Sequence, residues 1–334
     1  MIVYIVKRLL LLVPVILGIT LITFFVSRVI PADPAQVAAG LEAAPEQVEA
    51  LRKMMGLDKP LYTQFFLYLK GLSRGDLGRS LRTRQPVMND IRRYFPATFE
   101  LAFLAMLVYI FVGIPLGILS AATRGRSTDL VTRIVAITGT AMPVFWLGLL
   151  FQLFFYRNLS ILPAMGRLDS GVAAPLRITG MFIFDSLFTG NWTALGNAVQ
   201  HAVLPVMTLV LGRLAVGVRL TRASMLEVLD KDYVRTARAK GVVETLVVVR
   251  HAFKNALIPI ITVFALQFGW LLGGTVLVEV IFSWPGMGQY GVLSILALDF
   301  SPIMGIAIIS AIVFTLLNLC VDIIYCFIDP RIRW

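Results

Sequence analysis

Four ionisable side chains stand out inside long apolar stretches of this chain: Glu100, Arg213, Glu279 and Asp322. A charge near the middle of a bilayer costs at least roughly 2.5–3.5 kcal/mol on insertion scales, so such residues face protein or water. Arg213 is the deepest, a little past the middle of its stretch. It could line a pathway and meet a carboxylate, pair internally, or snorkel together with Arg219. Glu279, near the end of its stretch, could meet an amine, although an interfacial place beside Trp284 is the plainer expectation. Glu100 and Asp322 lie close enough to stretch ends for wet positions, and Arg28 can snorkel outward. His201 and His251 are too few and too far apart for a zinc signature. His251 reads as a surface or docking residue, and His201 as an interfacial one. Cys320 and Cys326 are six residues apart, about 600° around a helix, so they do not face each other. No Gly-x-x-x-x-Gly-Lys-Ser/Thr or His-Glu-x-x-His occurs, so no phosphate cradle or metal site of those kinds is expected. Asn158-Leu-Ser160 and Asn191-Trp-Thr193 match glycosylation sequons and read as chance.

The elements that must carry these residues are set by composition. Of 334 residues 58% are hydrophobic and 15% charged, against about a quarter charged in ordinary soluble domains. Six stretches reach the roughly 20 apolar residues that span a bilayer: 9–30, 98–122, 135–156, 201–221, 258–282 and 304–328. The first is too long, and lacks the cleavage site, for a signal peptide. The net charge of +11 needs no nucleic-acid partner, because Lys and Arg gather in cytoplasmic loops. With the N-terminus inside, the inner segments hold fourteen basic side chains, Lys7, Arg8, Arg124, Arg126, Arg331 and Arg333 among them. The outer segments 158–200 and 283–303 hold Arg167 and Arg177 alone. The segment 31–97 carries ten basic residues, but at 67 residues it is longer than the loops for which this bias sets orientation. Both ends are therefore expected in the cytoplasm. Gly113-x-x-x-Gly117 and Gly269-x-x-x-Gly273 permit close helix approach, and Pro115, Pro143 and Pro205 can kink their helices.

Three regions follow: a first spanning helix at 1–30, an extracytoplasmic helical segment at 31–97, and a five-helix core at 98–334. In the second, Val48, Leu51 and Met55 share a face of one helix that Gly56 stops. Leu61, Phe65, Leu69 and Leu72 repeat the pattern before a turn at Gly75-Asp-Leu-Gly78.

Between the fourth and fifth spans lies the loop 222–257, with seven basic and four acidic residues. Asp230 or Asp232 can cap a helix over Tyr233–Lys240, and Gly241 supplies a left-handed stop. A second helix from Glu244 to Leu257 would place Leu246, Val249, Phe253 and Leu257 on one face. Helix, glycine turn, helix, with Ala237 and Ala239 beside basic residues, suits docking into a partner's groove.

Asp232-Tyr-Val-Arg-Thr-Ala-Arg-Ala-Lys-Gly241, followed by Asn255-Ala-Leu-Ile-Pro259, resembles the cytoplasmic signature of bacterial ABC importer permeases. The likeness is to the dipeptide/oligopeptide/nickel group, and within it to the first of two permease subunits. Gly56-Leu-Asp-Lys-Pro60, Gly75-Asp-Leu-Gly78, Met142-Pro-Val-Phe-Trp146, Phe282-Ser-Trp-Pro-Gly286 and Asp329-Pro-Arg-Ile-Arg333 extend it over nearly the whole chain. Arg235-Thr236-Ala237 stands where the general signature has Glu-Ala-Ala, a charge reversal at Arg235.

The resemblance implies an all-α, polytopic inner-membrane protein with six transmembrane helices and the type I ABC importer permease fold. It implies a non-enzymatic subunit that forms half of a peptide pathway, in a heterodimer with a sister permease. Two ATPase subunits would bind ATP and Mg, leaving this chain without a cofactor, and an extracytoplasmic solute-binding protein would deliver substrate. Tyr233, Arg235, Thr236, Ala237, Arg238, Lys240 and Gly241 would then couple to an ATPase, and Arg213 and Glu279 are the candidates to line the pathway. The same machinery in this group also imports nickel complexes, glutathione or oligosaccharides. A self-contained channel or secondary transporter is the competing class, and it is supported only by the lone central Arg213.

Overall fold

The computed structural model describes residues 2–29, 33–40 and 42–328. The closing motif with Arg331 and Arg333, and the side chains of Lys7, Arg28 and Cys326, lie outside what is described. Among the described residues the chain is helical, with an isolated bridge between Arg79 and Pro86 in place of any strand.

The helices in order are α1 (Ile2–Val29), α2 (Pro34–Ala39), α3 (Pro45–Met54), α4 (Leu61–Leu72), α5 (Val87–Ala122), α6 (Ser127–Ala141) and α7 (Val144–Phe151). After them come α8 (Phe182–Thr189), α9 (Trp192–Leu229), α10 (Asp232–Ala239), α11 (Glu244–Leu246), α12 (Lys254–Ile281), α13 (Met287–Leu296) and α14 (Phe300–Ile328). Windows within α1, α5, α9, α14 and the run Glu244–Ile281 are long and apolar enough to cross a membrane. The third expected span is not one straight helix. It breaks at Met142-Pro143 into α6 and α7, bent by 102°. Pro143 donates no amide hydrogen and pushes Met142 into an extended conformation (φ −91°, ψ 135°), so the helix cannot continue. Pro205, by contrast, sits inside an unbroken α9.

The chain forms two compact units. One comprises residues 1–96 and 286–319. In it α3 and α4 form where their apolar spacing places them, and Gly56 (φ +65°) takes the left-handed stop. Leu77, Val87, Ile91 and Met287 make its small core. A Cβ on Gly305 would stand 2.7 Å from Val87, so only glycine allows that approach of α14 to α5. Tyr290 stacks on Tyr94 at 4.9 Å and donates to Asp90 at 2.7 Å.

The other unit, 97–285 with 320–328, holds the large core around α9. Tyr109 and Phe264 meet inside it at 4.5 Å. Gly117 lets α5 approach α9 so closely that a Cβ there would lie 2.4 Å from Thr221. Gly139 does the same for α6 at the Leu211 carbonyl, at 2.7 Å. Gly273, by contrast, has nothing within 4 Å.

Candidate coupling surface and substrate pathway

The loop between α9 and α12 begins where α9 ends. Asp230 closes α9, and Lys231, with no capping side chain, opens α10. Neither Asp230 nor Asp232 caps α10 as the sequence suggested; Asp232 is instead its first helical residue, where a negative charge suits the helix dipole. Val234 and Ala237 are buried in the core of the large unit, which seats α10 along one edge. Tyr233, Arg235, Thr236 and Lys240 are exposed, Arg235 by 71% of its side chain. Ala237 is thus part of the chain's own packing and does not belong to the face a partner could approach.

Gly241 adopts φ +76°, as a glycine stop requires. Across it Arg238 forks onto Glu244, with Nε donating at 3.0 Å and Nη2 at 2.7 Å, a bidentate pair that also raises the pKa of Arg238 above the ordinary arginine value. This fork ties α10 to α11. The expected second loop helix is not separate. From Glu244 the chain passes through a π-helical turn at Val247–Phe253 straight into α12. The wider turn shifts the register, so Val247, Val248, Ala252 and Ala256 face the core, while Leu246 and Val249 are exposed. The continuous helical path into α12 begins at Glu244, beyond the Gly241 stop, and the Arg238–Glu244 fork is what ties α10 to it.

Arg213 is half-buried on α9. Its nearest polar partner is Gln267 Oε1 at 3.5 Å, and its guanidinium lies 5.1 Å from the ring centre of Trp270. Among the described residues it makes no ion pair, so the internal-pair alternative does not hold. Glu279 is different. It is fully buried and accepts a hydrogen bond from Thr98 Oγ1 at 2.7 Å. It is neither interfacial nor open to a substrate in this conformation. Trp284 likewise is interior, with Nε1 donating to the Ala97 carbonyl at 2.9 Å.

A profile of the "Binding-protein-dependent transport system inner membrane component" family matches residues 113–334, and its N-terminal counterpart matches residues 1–102. The chain belongs to this family. The "Probable D,D-dipeptide transport system permease protein DdpB" of Escherichia coli K12 is 49% identical, over 96% of this chain and 94% of that protein. The "Dipeptide transport system permease protein DppB" of Alkalihalophilus pseudofirmus is 42% identical over all of both chains. The "Glutathione transport system permease protein GsiC" of Escherichia coli O6:H1 is 38% identical over 99% of each. A chain of the MetNI methionine ABC transporter in an inward-facing conformation shares the fold, with TM-score 0.56 and 14% identity over 72% of this chain and 97% of that one. The architecture is accordingly the type I ABC importer permease fold, in a multi-pass protein of the inner membrane.

Three polar clusters that hold this permease together escaped the sequence reading. Glu100, expected wet, is fully buried and paired with Arg167. Arg167 also donates to the Gly180 carbonyl at 3.2 Å and lies 3.7 Å over the Phe182 ring, while Ile183 N donates to Glu100 Oε1 at 2.7 Å. The only hint was that Arg167 is one of two basic residues in a long stretch otherwise poor in them. Asp185 gathers the amides of Ile178, Thr179 and Gly180 and the Thr179 hydroxyl. Burial raises its pKa, but these donors outweigh that and hold it below the usual carboxylate range. His201 is buried, with its ring nitrogens 3.2 Å from the Gly166 carbonyl and from Asp169. Hydrogen bonds from Asn197 and His201 hold the Asp169 carboxyl below its ordinary value. Asn191, dismissed as a sequon, caps α9 by accepting from Ala194 N at 3.0 Å.

Proposed function

We propose that this chain is one permease subunit of an ATP-driven importer of short peptides. In this reading both termini and α10 face the cytoplasm, where α10 docks on one of two ATPase subunits. A sister permease completes the pathway, and an extracytoplasmic binding protein delivers the substrate. Relatives named for dipeptides at 49% and 42% identity favour that cargo over glutathione.

The observation that carries the reading is the two-sidedness of α10. One edge is locked into the core through Val234 and Ala237, and the other presents Tyr233, Arg235 and Lys240 without core partners. A rigid element anchored in this way transmits a push, whereas a solvated loop would absorb it. ATP-driven closure of the ATPases need only favour one bundle state by a few kcal/mol to shift its population. Arg213, a half-buried cation with no acidic partner among the described residues, suits the carboxylate of a passing peptide.

The test is uptake of a labelled dipeptide into proteoliposomes. The chain with its sister permease, ATPases and binding protein should transport only with ATP, and the chain alone should not transport. ATP-independent flux through the chain alone would favour a self-contained channel and overturn the proposal.

A further inference from the structure

Near the α10 end of the large unit, α6 and α9 run antiparallel. Two contacts fix their register: Asp129 meets Arg222, and Gly139 meets the Leu211 carbonyl. Counting one turn inward from Asp129–Arg222 brings Arg133 of α6 level with Val218 and Arg219 of α9. These residues, with Arg222 and Ala223, line a cavity of about 400 Å³ whose remaining walls are Ala136, Ile137 and Ala215.

The charge around this cavity does not balance. Asp129 lies beside it and is already saturated, by both nitrogens of the Arg222 fork at 2.9 Å, by the Ser120 hydroxyl and by Gly125 N. Nothing acidic is left for Arg133 or Arg219, and among the described residues neither makes an ion pair or hydrogen bond. Two guanidinium groups thus stand over an apolar hollow near the ends of membrane-spanning helices. Beside it Leu130, Ile134 and Ile137 of α6 are more than half exposed. A solvated loop would not need the apolar walls, and a packed core would not tolerate the unpaired charges.

We infer that this cavity binds an anionic phospholipid, with its phosphate between Arg133 and Arg219 and the start of an acyl chain along Ile137, Ala215 and Val218. Arginine suits a phosphate because its planar fork donates two parallel hydrogen bonds, and basic pockets between spanning helices are known to hold acidic headgroups. The inference is independent of the cargo and of the transport reading. The bound lipid would fasten α6 to α9 beside the Asp129–Arg222 pair, about two turns before α9 ends at Leu229.

The experiment uses the purified importer complex, delipidated in detergent and titrated with dioleoyl phosphatidylglycerol or dioleoyl phosphatidylcholine, with bound lipid counted by native mass spectrometry. Phosphatidylglycerol should bind at least about tenfold more tightly, the gap of one charged contact. R133Q/R219Q should abolish the preference without lowering the melting temperature by more than a few degrees. Ile137→Trp, which keeps both arginines and fills the hollow, should weaken lipid binding as well, and it serves if the double variant does not assemble. Inorganic phosphate at millimolar concentration should not compete, because it lacks the acyl chain. Equal binding of the two lipids, a preference that survives both variants, or displacement by free phosphate would each overturn the assignment.

Discussion

The cluster around Arg167 and the exposed edge of α10 are both rich in charge, yet they use it in opposite ways. Arg167 is 7% exposed, and its charge is consumed locally by Glu100, the Gly180 carbonyl and the Phe182 ring. Arg235 is 71% exposed, with only Asp232 of its own turn at 3.8 Å. A charge closed on itself holds a fold together, and one left open is available to another molecule. Arg213 lies between these extremes, inside a spanning helix yet served, among the described residues, by Gln267 and Trp270.

The sharpest break would come at the closed cluster. Glu100→Ala leaves Arg167 buried and unpaired, which should cost about 3–5 kcal/mol, seen as a steep fall in melting temperature and in yield of folded chain. Pairing it with Arg167→Met should recover most of the loss. If Glu100→Ala melts like the parent, the two regions do not differ as described. Arg235→Glu on α10 should do the reverse: thermal stability unchanged, peptide uptake down by roughly tenfold or more, since a charged contact of about 1.5–3 kcal/mol is turned into a repulsion. Arg213→Gln should fall in between. It should also leave stability intact, and raise the KM for peptides with a free carboxyl terminus several-fold more than for their amides. An equal rise for both would remove Arg213 from the pathway.

The smallest effect is expected at Asp169, 61% exposed. Its folded pKa is depressed, so the stabilisation is present above the ordinary carboxylate value of about 3.9 and is lost as pH falls. Asp169→Asn should therefore melt slightly lower than the parent at pH 7. The gap should close as pH drops below 4, and a gap that widened instead would contradict the assignment.

What could be read from the sequence was whatever depended on local rules. Apolar length gave the spans, Gly241 and Gly56 gave their stops, and the spacing of Leu61, Phe65 and Leu69 gave α4. What could not be read needed partners distant in sequence. Glu100 and Arg167 are 67 residues apart, and Glu279 meets Thr98 across 181, so their depth alone suggested water. The break at Pro143 was legible as a kink, but not as a 102° bend. The π-helical turn at Val247–Phe253 defeated a face drawn at ideal helical spacing: it turned Val249 outward and Val248 inward. Ala237 was rightly placed on a helix but on the wrong side, because nothing local says which edge of α10 the core will take.

The proposal that α10 receives the ATPase is tested most directly by placing a photo-crosslinking residue at Tyr233 or Arg235 in the assembled importer, with Leu130 of α6 as the control. Crosslinks to an ATPase subunit from both α10 positions, and none from Leu130, are the predicted result. A complex that hydrolyses ATP and imports peptide while neither α10 position crosslinks to an ATPase would contradict it.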